Sequence, residues 1–373
     1  MNNPVVLARS IAVTALGNDL DGLWQGLLDG RRGIAALDRF SCANYISALG
    51  GCIDGLAAAP GSLFQALLER VAEQLGPLPQ DCRLLVASTK GEVDLLQQQR
   101  GDLRPELLFE NLLATIAARL GLSDRGMNIN AACASSTVAV ARAAALIAAG
   151  QAEAVLVFAA DVLSEFVFSG FSALQALSAQ PCRPFDRQRN GLNLGEAGVA
   201  LLLLSADRAR REGLAPLATV RGWGVANDAF HVTAPARDGR GLIRACQQAL
   251  QQAEINPEQV AAVNAHGTAT VYNDAMELTA FAAVFDGRIP PLHGIKGSIG
   301  HCLGAAGGVE IAIAARSLLE QRIPGTVGCA TPEELAGDAI STAVRAISGD
   351  YLLCSNSGFG GINGVVILGR GAL

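Results

Sequence analysis

The stretch NINAACASSTVAVARAAALIAAG, residues 128–150, places a cysteine where a short apolar segment changes into an alanine-rich one. The spacing predicts a strand that ends near Cys133 and a helix that continues to Gly150. The N–H groups of a first helical turn favour a negative charge, by about 0.3–1 kcal/mol at a surface and up to ~2 kcal/mol when partly buried. This predicts a pKa for the Cys133 thiol that is roughly one unit below the usual value of about 8.5. The position therefore raises a nucleophilic role to equal standing with a structural one.

On either side of this stretch, short apolar runs alternate with helical patterns. The runs predict strands at 83–89, 154–161, 198–205, 259–268 and 364–369. The helical patterns lie at 136–149, 240–254, 273–285 and 304–321. This alternation predicts an α/β fold with sheets that are covered on both faces.

The composition limits both the architecture and the partners. The chain has 373 residues, which suits two fused domains, and half of these residues are hydrophobic while 17% are charged. A formal charge of −6 argues against nucleic acid, and an acidic partner would need a local cluster of arginines. Residues 1–16 lack the basic start of a signal peptide, and no apolar window of about 18 residues is free of charge, so we expect neither a signal peptide nor a membrane span. Nine scattered cysteines without a CxxC pair predict no disulfide framework, no metal site and a cytoplasmic location.

Two short echoes suggest that the chain is built from two similar halves. GEAGVALLLLS (195–205) resembles GINGVVILG (361–369), and INAAC (129–133) resembles VNAHG (263–267). The charged segment 205–216, which ends in proline, marks the break between them. We therefore predict an N-terminal half at 1–210 that carries Cys133, and a C-terminal half at 216–373 that carries His266 and His301.

Two of the four histidines lie in glycine-flanked turns after predicted strands. His266 is in NAHGTAT and His301 is in KGSIGHCLG, and glycine at such a turn allows a ligand to approach the backbone closely. A cysteine and two histidines at strand ends form the constellation that nucleophilic catalysis needs. Lys296 precedes His301 in the same loop, and a buried pair of Lys296 with Glu277 would fix the histidine geometry.

Five ordered blocks carry a resemblance to a known family. They are NAACASS (130–136), CRPFDRQRNGLNLGEAG (182–198), NAHGTATVYNDAMEL (264–278), IKGSIGHCLGAAGG (295–308) and SGFGGINGVV (357–366). Together they resemble the β-ketoacyl–acyl carrier protein synthases, or ketosynthases, of the elongating Cys-His-His type. The segment at 14–40 is also similar to the N-terminal block of that family.

The resemblance implies a thiolase-like fold with two similar halves in a layered αβαβα arrangement, usually as a dimer. It implies that Cys133 accepts an acyl chain from a carrier-protein thioester. His266 and His301 would then bind the thioester carbonyl of malonyl–acyl carrier protein and favour the loss of CO2. The resulting enolate would attack the acyl-cysteine. Such an enzyme is an acyltransferase that needs no cofactor beyond the phosphopantetheine arm of its carrier protein.

The resemblance also assigns supporting residues. Lys296 and Glu277 would support the triad, and the backbone N–H groups of Cys133 and Phe359 would form an oxyanion hole. The ring of Phe359 would gate the acyl pocket. Two further contacts are implied at the pocket entrance, with the pantetheine arm at Thr268 and Thr270 and with the acidic carrier protein at Arg189.

Departures from the family pattern leave the substrate open. Residues 89–106 fill part of the acyl-pocket region in their own way, and Gly297, Ile299, Ser357 and Ile362 replace the family's usual residues. We therefore expect type II fatty acid or, preferably, polyketide or polyene biosynthesis. One alternative is a chain-length-factor-like partner of a heterodimeric ketosynthase. Another is a thiolase acting on acyl-coenzyme A, which would need a second cysteine near the C-terminus, where Cys354 lies outside the GFGG turn.

Overall fold

Strands and helices alternate along the computed structural model, which describes residues 3–57, 61–98 and 108–371. The strands are β1 (Val5–Thr14), β2 (Ala35–Ala36), β3 (Leu49–Gly51), β4 (Arg83–Ala87), β5 (Met127–Asn128), β6 (Ala154–Asp161), β7 (Leu194–Gly195), β8 (Ala197–Ser205), β9 (Ala218–Asn227), β10 (Val260–Asn264), β11 (Leu292–His293), β12 (Arg322–Ile323), β13 (Arg345–Ala346), β14 (Tyr351–Gly358) and β15 (Ile362–Arg370). The helices are α1 (Leu20–Leu28), α2 (Leu63–Leu75), α3 (Leu95–Gln98), α4 (Phe109–Arg119), α5 (Ser135–Ala148), α6 (Glu165–Ala173), α7 (Ala206–Arg211), α8 (Arg240–Ala253), α9 (Val271–Val284), α10 (Lys296–Ile299) and α11 (Ala306–Glu320). The predicted strands and helices are confirmed, with ends that differ by a few residues.

Ten of the strands form one sheet in the order β11-β10-β14-β15-β9-β1-β8-β6-β4-β5. The same pairing pattern runs inward from each edge of the sheet. The three outermost strands are parallel to one another, and the next two strands each pair antiparallel with the strand before them. The strands β1 and β9 join the two five-stranded halves through the pairs from Val5–Val220 to Leu7–Ala218. The sheet therefore contains an internal repeat in which β5 corresponds to β11 and β8 to β15.

Side chains on the two faces of the sheet belong to different hydrophobic layers. In β8, Val199, Leu201 and Leu203 face a central core that also contains α5 and α11. The alternate side chains of the same strand face an outer core with α2 and α4, because successive side chains of a strand point to opposite faces. A matching outer core on β10, β14 and β15 contains α8 and α9. The result is the layered αβαβα arrangement, and the fold-class prediction is confirmed.

The two central helices approach each other closely enough to require glycine. A Cβ atom on Gly307 of α11 would lie 2.0 Å from the Thr137 hydroxyl of α5 and 2.6 Å from the side-chain oxygen of Asn356. Real Cβ atoms do not make such contacts, so a larger residue at 307 would force the helices apart. Because Cys133 lies just before α5 and His301 lies before α11, this close contact helps to bring the two turns together.

One of the two sequence echoes reflects the repeat and the other does not. GEAGVALLLLS and GINGVVILG correspond, because they form β8 and β15. INAAC and VNAHG do not correspond, because Cys133 follows β5 whereas His266 follows β10, the counterpart of β4. Residues 99–106 of the departing segment lie outside the described residues. Within the described ranges, no helix has the length and apolarity that crossing a bilayer requires.

Candidate active site

Cys133 lies in a sharp turn between β5 and α5. Ala132 has a φ of +50°, a left-handed conformation that side chains other than glycine rarely adopt. The Ser135 hydroxyl holds the turn by donating to the Ala132 carbonyl at 2.6 Å and accepting from the Ala131 N–H at 2.9 Å. The turn places the thiol before the first turn of α5, as its sequence position predicted.

The three predicted catalytic side chains meet inside the protein. The Cys133 sulfur, one ring nitrogen of His266 and one of His301 all lie within 4.8 Å of one another. The two imidazole rings are 5.1 Å apart between centroids and nearly perpendicular, at 83°. All three residues are buried, with exposures of 7%, 2% and 1%. The sequence prediction that these residues converge is confirmed in geometry, and their chemical roles stay predictions.

The GFGG turn lies directly on the nucleophile turn. The backbone N–H groups of Phe359 and Cys133 are placed to hydrogen-bond the Cys133 sulfur, which is the arrangement expected of an oxyanion hole. A Cβ atom on Gly358 would lie 2.6 Å from the Ala131 carbonyl oxygen and 3.2 Å from the Cys133 nitrogen. Glycine at 358 is therefore needed for this contact. The Phe359 ring stacks on Phe171, with centroids 5.8 Å apart.

Lys296 is paired with Glu310, and the predicted pairing with Glu277 is wrong. The Lys296 ammonium lies 2.5 Å from the Glu310 carboxylate, and both side chains are buried. Glu277 instead accepts the backbone N–H groups of His266 and Gly267, at 2.7 Å each. Glu277 thus fixes the backbone of the His266 turn from α9, while Glu310 reaches Lys296 from the central helix α11.

Asn356 is a site residue that the sequence interpretation missed. Its amide nitrogen donates to the Glu310 carboxylate at 2.6 Å and lies 3.0 Å from Nδ1 of His266. Its side-chain oxygen accepts the Thr137 hydroxyl of α5. The sequence did contain a signal for each of two missed residues. Asn356 is an amide within the buried strand YLLCSNSG, and Glu310 is the one acidic residue within the apolar helix AAGGVEIAIAA.

These contacts fix the tautomer of His266. Lys296 lies 3.2 Å from Nδ1 of His266, on which the Asn356 amide also converges. An ammonium group can only donate, so Nδ1 accepts and the ring proton is on Nε2. His266 is thereby held as a hydrogen-bond donor. By contrast, Nδ1 of His301 has no hydrogen-bond partner among the described residues, so its tautomer is not fixed in this way.

Burial keeps the triad uncharged. It lowers the pKa of His266 and of His301 below the usual 6.5, and the nearby Lys296 charge lowers both further, so the rings are neutral at pH 7. Burial also raises the pKa of the Cys133 thiol to about 11, although the Lys296 charge and the two backbone N–H groups lower it. The predicted lowering of the Cys133 pKa is therefore wrong, because the cost of burying a thiolate exceeds the effect of the helix terminus.

A cavity of about 350 Å³ opens onto the triad. Thr268 and Thr270 line it, with their hydroxyl oxygens 2.8 Å apart, so both lie where the resemblance implies contact with a pantetheine arm. Further lining residues come from α6 and the turn after it, the loop after β9 and the GFGG turn: Phe171, Leu174, Gln175, Thr233, Ala234, Pro235 and Phe359. Cys354 is not among the lining residues and is fully buried in β14, which argues against a thiolase with a second catalytic cysteine.

Arg189 does not lie on the surface, which argues against its predicted contact with a carrier protein. Its side chain is 3% exposed, forms an ion pair with Glu333 and lies 3.8 Å from the Asp274 carboxylate. Its guanidinium also donates to the carbonyls of Thr270 (3.2 Å) and Val271 (2.9 Å). Arg189 therefore holds the start of α9 in place.

Among the described residues, the spacing of Cys133, His266 and His301 would also suit a metal ion, and the expectation of no metal stays a prediction.

Comparison with known proteins agrees with this site. The layered fold and its buried cysteine and two histidines define a thiolase-like acyltransferase. The family description "Beta-ketoacyl synthase, N-terminal domain" matches residues 85–209, and "Beta-ketoacyl synthase, C-terminal domain" matches residues 217–330. Together these matches cover more than half of the chain, which belongs to the β-ketoacyl synthase family.

Several individual proteins are similar over nearly their whole length. A 3-oxoacyl-[acyl-carrier-protein] synthase 2 from Vibrio harveyi is 28% identical, over 97% of each chain. The crystal structure of a β-ketoacyl synthase from Burkholderia phymatum is 26% identical over the full length of both chains, with a TM-score of 0.86. A ketosynthase from Xenorhabdus doucetiae, solved in complex with its chain length factor, is 25% identical with a TM-score of 0.85 and covers 99% of this chain and 98% of its own.

Proposed function

We propose that this chain catalyses the decarboxylative Claisen condensation of malonyl–acyl carrier protein with an acyl group bound to Cys133. The observation that carries the proposal is the convergence of the Cys133 sulfur and the two imidazole nitrogens within 4.8 Å, beside a cavity that reaches them. The N–H groups of Cys133 and Phe359 add donors for a second oxyanion. These are the groups that the two half-reactions need.

In the first half-reaction, Cys133 attacks the carbonyl of an acyl thioester. A bond forms between its sulfur and the acyl carbon, and the bond to the pantetheine sulfur breaks. The thiol is protonated at pH 7, so a neighbouring base must take its proton during the attack. We assign that role to His301, because His266 is held as a donor, and the proton then passes to the departing pantetheine thiolate.

In the second half-reaction, the malonyl thioester loses CO2. The electron pair of the broken carbon–carbon bond moves into the enolate, whose negative oxygen accepts the N–H of His266 and that of His301. Each such donor is worth about 2.7–4 kcal/mol of barrier. The enolate carbon then attacks the acyl-cysteine, a new carbon–carbon bond forms, and the Cys133 sulfur leaves as a thiolate that takes up a proton from water.

The family matches support a carrier protein as the substrate partner, and the Vibrio harveyi relative is named for such a substrate. We propose type II fatty acid or polyketide, including polyene, biosynthesis in the cytoplasm, with the phosphopantetheine arm as the only prosthetic group. The nine unpaired cysteines support a reducing compartment. The chain acts as a homodimer or beside a chain-length-factor-like subunit, the arrangement named for the Xenorhabdus structure.

The test is intact-protein mass spectrometry after incubation with a panel of acyl–acyl carrier proteins. We expect an acyl adduct that Cys133→Ala abolishes and Cys354→Ala retains, together with loss of condensation only in Cys133→Ala. Undiminished condensation by Cys133→Ala would overturn the proposal. No adduct, with activity that requires a second ketosynthase subunit, would instead favour the chain-length-factor role.

A further inference from the structure

The rim of the active-site cavity exposes apolar side chains. Leu174, Val271 and Tyr272 line the cavity and are also 52%, 51% and 59% exposed. In the loop after β9, which contributes Thr233 to the cavity, Phe230 and Val232 are exposed as well. Large apolar side chains gathered around one opening mark an interaction surface rather than a scattered surface population. We refer to these five residues as the apolar rim.

Arg237 supplies a positive charge at this rim. Its guanidinium carbon lies over the Tyr272 ring, 5.6 Å from the centroid, and its side chain is exposed. Within the described part of the chain, no carboxylate lies within 4.0 Å of Arg237, and the adjacent Asp238 pairs with Arg240 at 3.1 Å. An arginine that stacks on an aromatic ring keeps its N–H groups available for a carboxylate.

The backbone holds this loop in place beside the catalytic turn. The Gly360 N–H donates to the Val232 carbonyl at 2.7 Å. The Asn227 side chain, at the start of the loop, donates to the Gly360 carbonyl at 2.7 Å. A partner seated on the loop is therefore positioned relative to the Phe359 turn and the cavity that leads to Cys133.

We propose that Arg237, the Tyr272 ring on which it stacks, and the apolar rim form the docking surface for the acidic face of an acyl carrier protein. This inference rests on the proposed function and replaces Arg189 as the docking residue. The chain as a whole carries a charge of −6, so an acidic partner is attracted only where a local positive charge is exposed. Arg189 cannot serve, because its charge is enclosed by Glu333 and Asp274.

The experiment compares acyl transfer from a carrier protein with acyl transfer from a thioester that has no protein attached. A panel of octanoylated bacterial acyl carrier proteins is assayed for transfer to Cys133, and the carrier with the highest kcat/KM is compared with octanoyl-N-acetylcysteamine, which has no protein and no phosphate. For Arg237→Glu we expect kcat/KM with the carrier protein, divided by kcat/KM with the small thioester, to fall about tenfold relative to wild type. The reason is that a charge at the edge of an interface changes the rate at which a charged partner associates. The loss should shrink as salt is raised.

Arg244→Glu is the matched control, since Arg244 is an exposed arginine on α8 that does not line the cavity and the change in charge is the same. It should keep the wild-type ratio. An unchanged ratio in Arg237→Glu, or an equal loss with both donors, would overturn the docking assignment. Transfer from the small thioester with no carrier protein accepted, or no acylation of Cys133 by any donor, would instead overturn the proposed function.

Discussion

The amide nitrogen of Asn356 lies 3.0 Å from Nδ1 of His266 while donating to Glu310 at 2.6 Å. One side chain thus connects the His266 imidazole to the buried Lys296–Glu310 pair. It does so from the strand that leads into the GFGG turn. The donor character of His266 therefore depends on residues that do not line the cavity.

Replacing Asn356 with Asp removes the amide donor and introduces an acceptor opposite Nδ1 of His266. The new carboxylate competes with Nδ1 for the Lys296 ammonium and can itself accept a proton from Nδ1, so the tautomer that donates from Nε2 to the enolate oxygen is no longer enforced. We expect malonyl decarboxylation to fall about 10²-fold, while Cys133 acylation by a small thioester falls less than tenfold. Both rates are measured on the purified variant, with the exposed Asn256→Asp as the control. Equal losses in the two reactions would indicate a general structural defect instead.

The Lys296–Glu310 pair should couple strongly in stability. Lys296→Met leaves the Glu310 carboxylate buried without its cation, and the expected loss is about 3–5 kcal/mol in the free energy of unfolding. In the double variant Lys296→Met, Glu310→Gln, both charges are gone, so the loss should be smaller than that of Lys296→Met alone. Urea unfolding of both single variants and the double variant measures this coupling. Strictly additive losses would contradict it.

The reactivity of Cys133 should follow a high pKa. Because burial raises that pKa to about 11, the thiolate fraction grows roughly tenfold per pH unit between pH 7 and about 10. The rate of iodoacetamide modification of Cys133, measured by peptide mass spectrometry, should rise over that whole range. A model peptide thiol with a pKa near ~8.5 serves as the reference and should level off near pH 9. A plateau for Cys133 below pH 8 would contradict the expectation.

Adding one methyl group at Gly358 should damage catalysis without unfolding the chain. In Gly358→Ala the new Cβ meets the Ala131 carbonyl at 2.6 Å, which pushes the Phe359 N–H away from the Cys133 sulfur. Removal of one such donor lowers kcat by about 10²–10³-fold, and we expect condensation to fall within that range. Gly170→Ala, in α6 with open space around its Cβ, is the matched control and should retain activity. A Gly358→Ala enzyme with full activity would contradict the oxyanion assignment.

Much of the fold and site could be predicted because their signals are local. Apolar runs in the sequence predicted strands such as β6 and β8, and glycine-flanked turns indicated His266 and His301 as site residues. The partner of Lys296 could not be chosen in the same way, because Glu277 and Glu310 both lie on helices and only tertiary packing brings one to the ammonium. Arg189 carries a charge that suggested the surface, yet its two carboxylate partners come from distant segments. The Cys133 pKa depends on the depth of burial, which the sequence around a turn does not contain.

The internal repeat has a consequence for how activity can be lost. The sulfur is supplied from the β5–α5 turn of one half of the sheet, whereas both imidazoles come from the other half, so neither set of five strands contains a working subset of the chemistry. Catalytic turnover therefore reports on the integrity of the entire chain. A change that loosens the contact between β1 and β9, or between α5 and α11, is expected to separate the sulfur from both imidazoles.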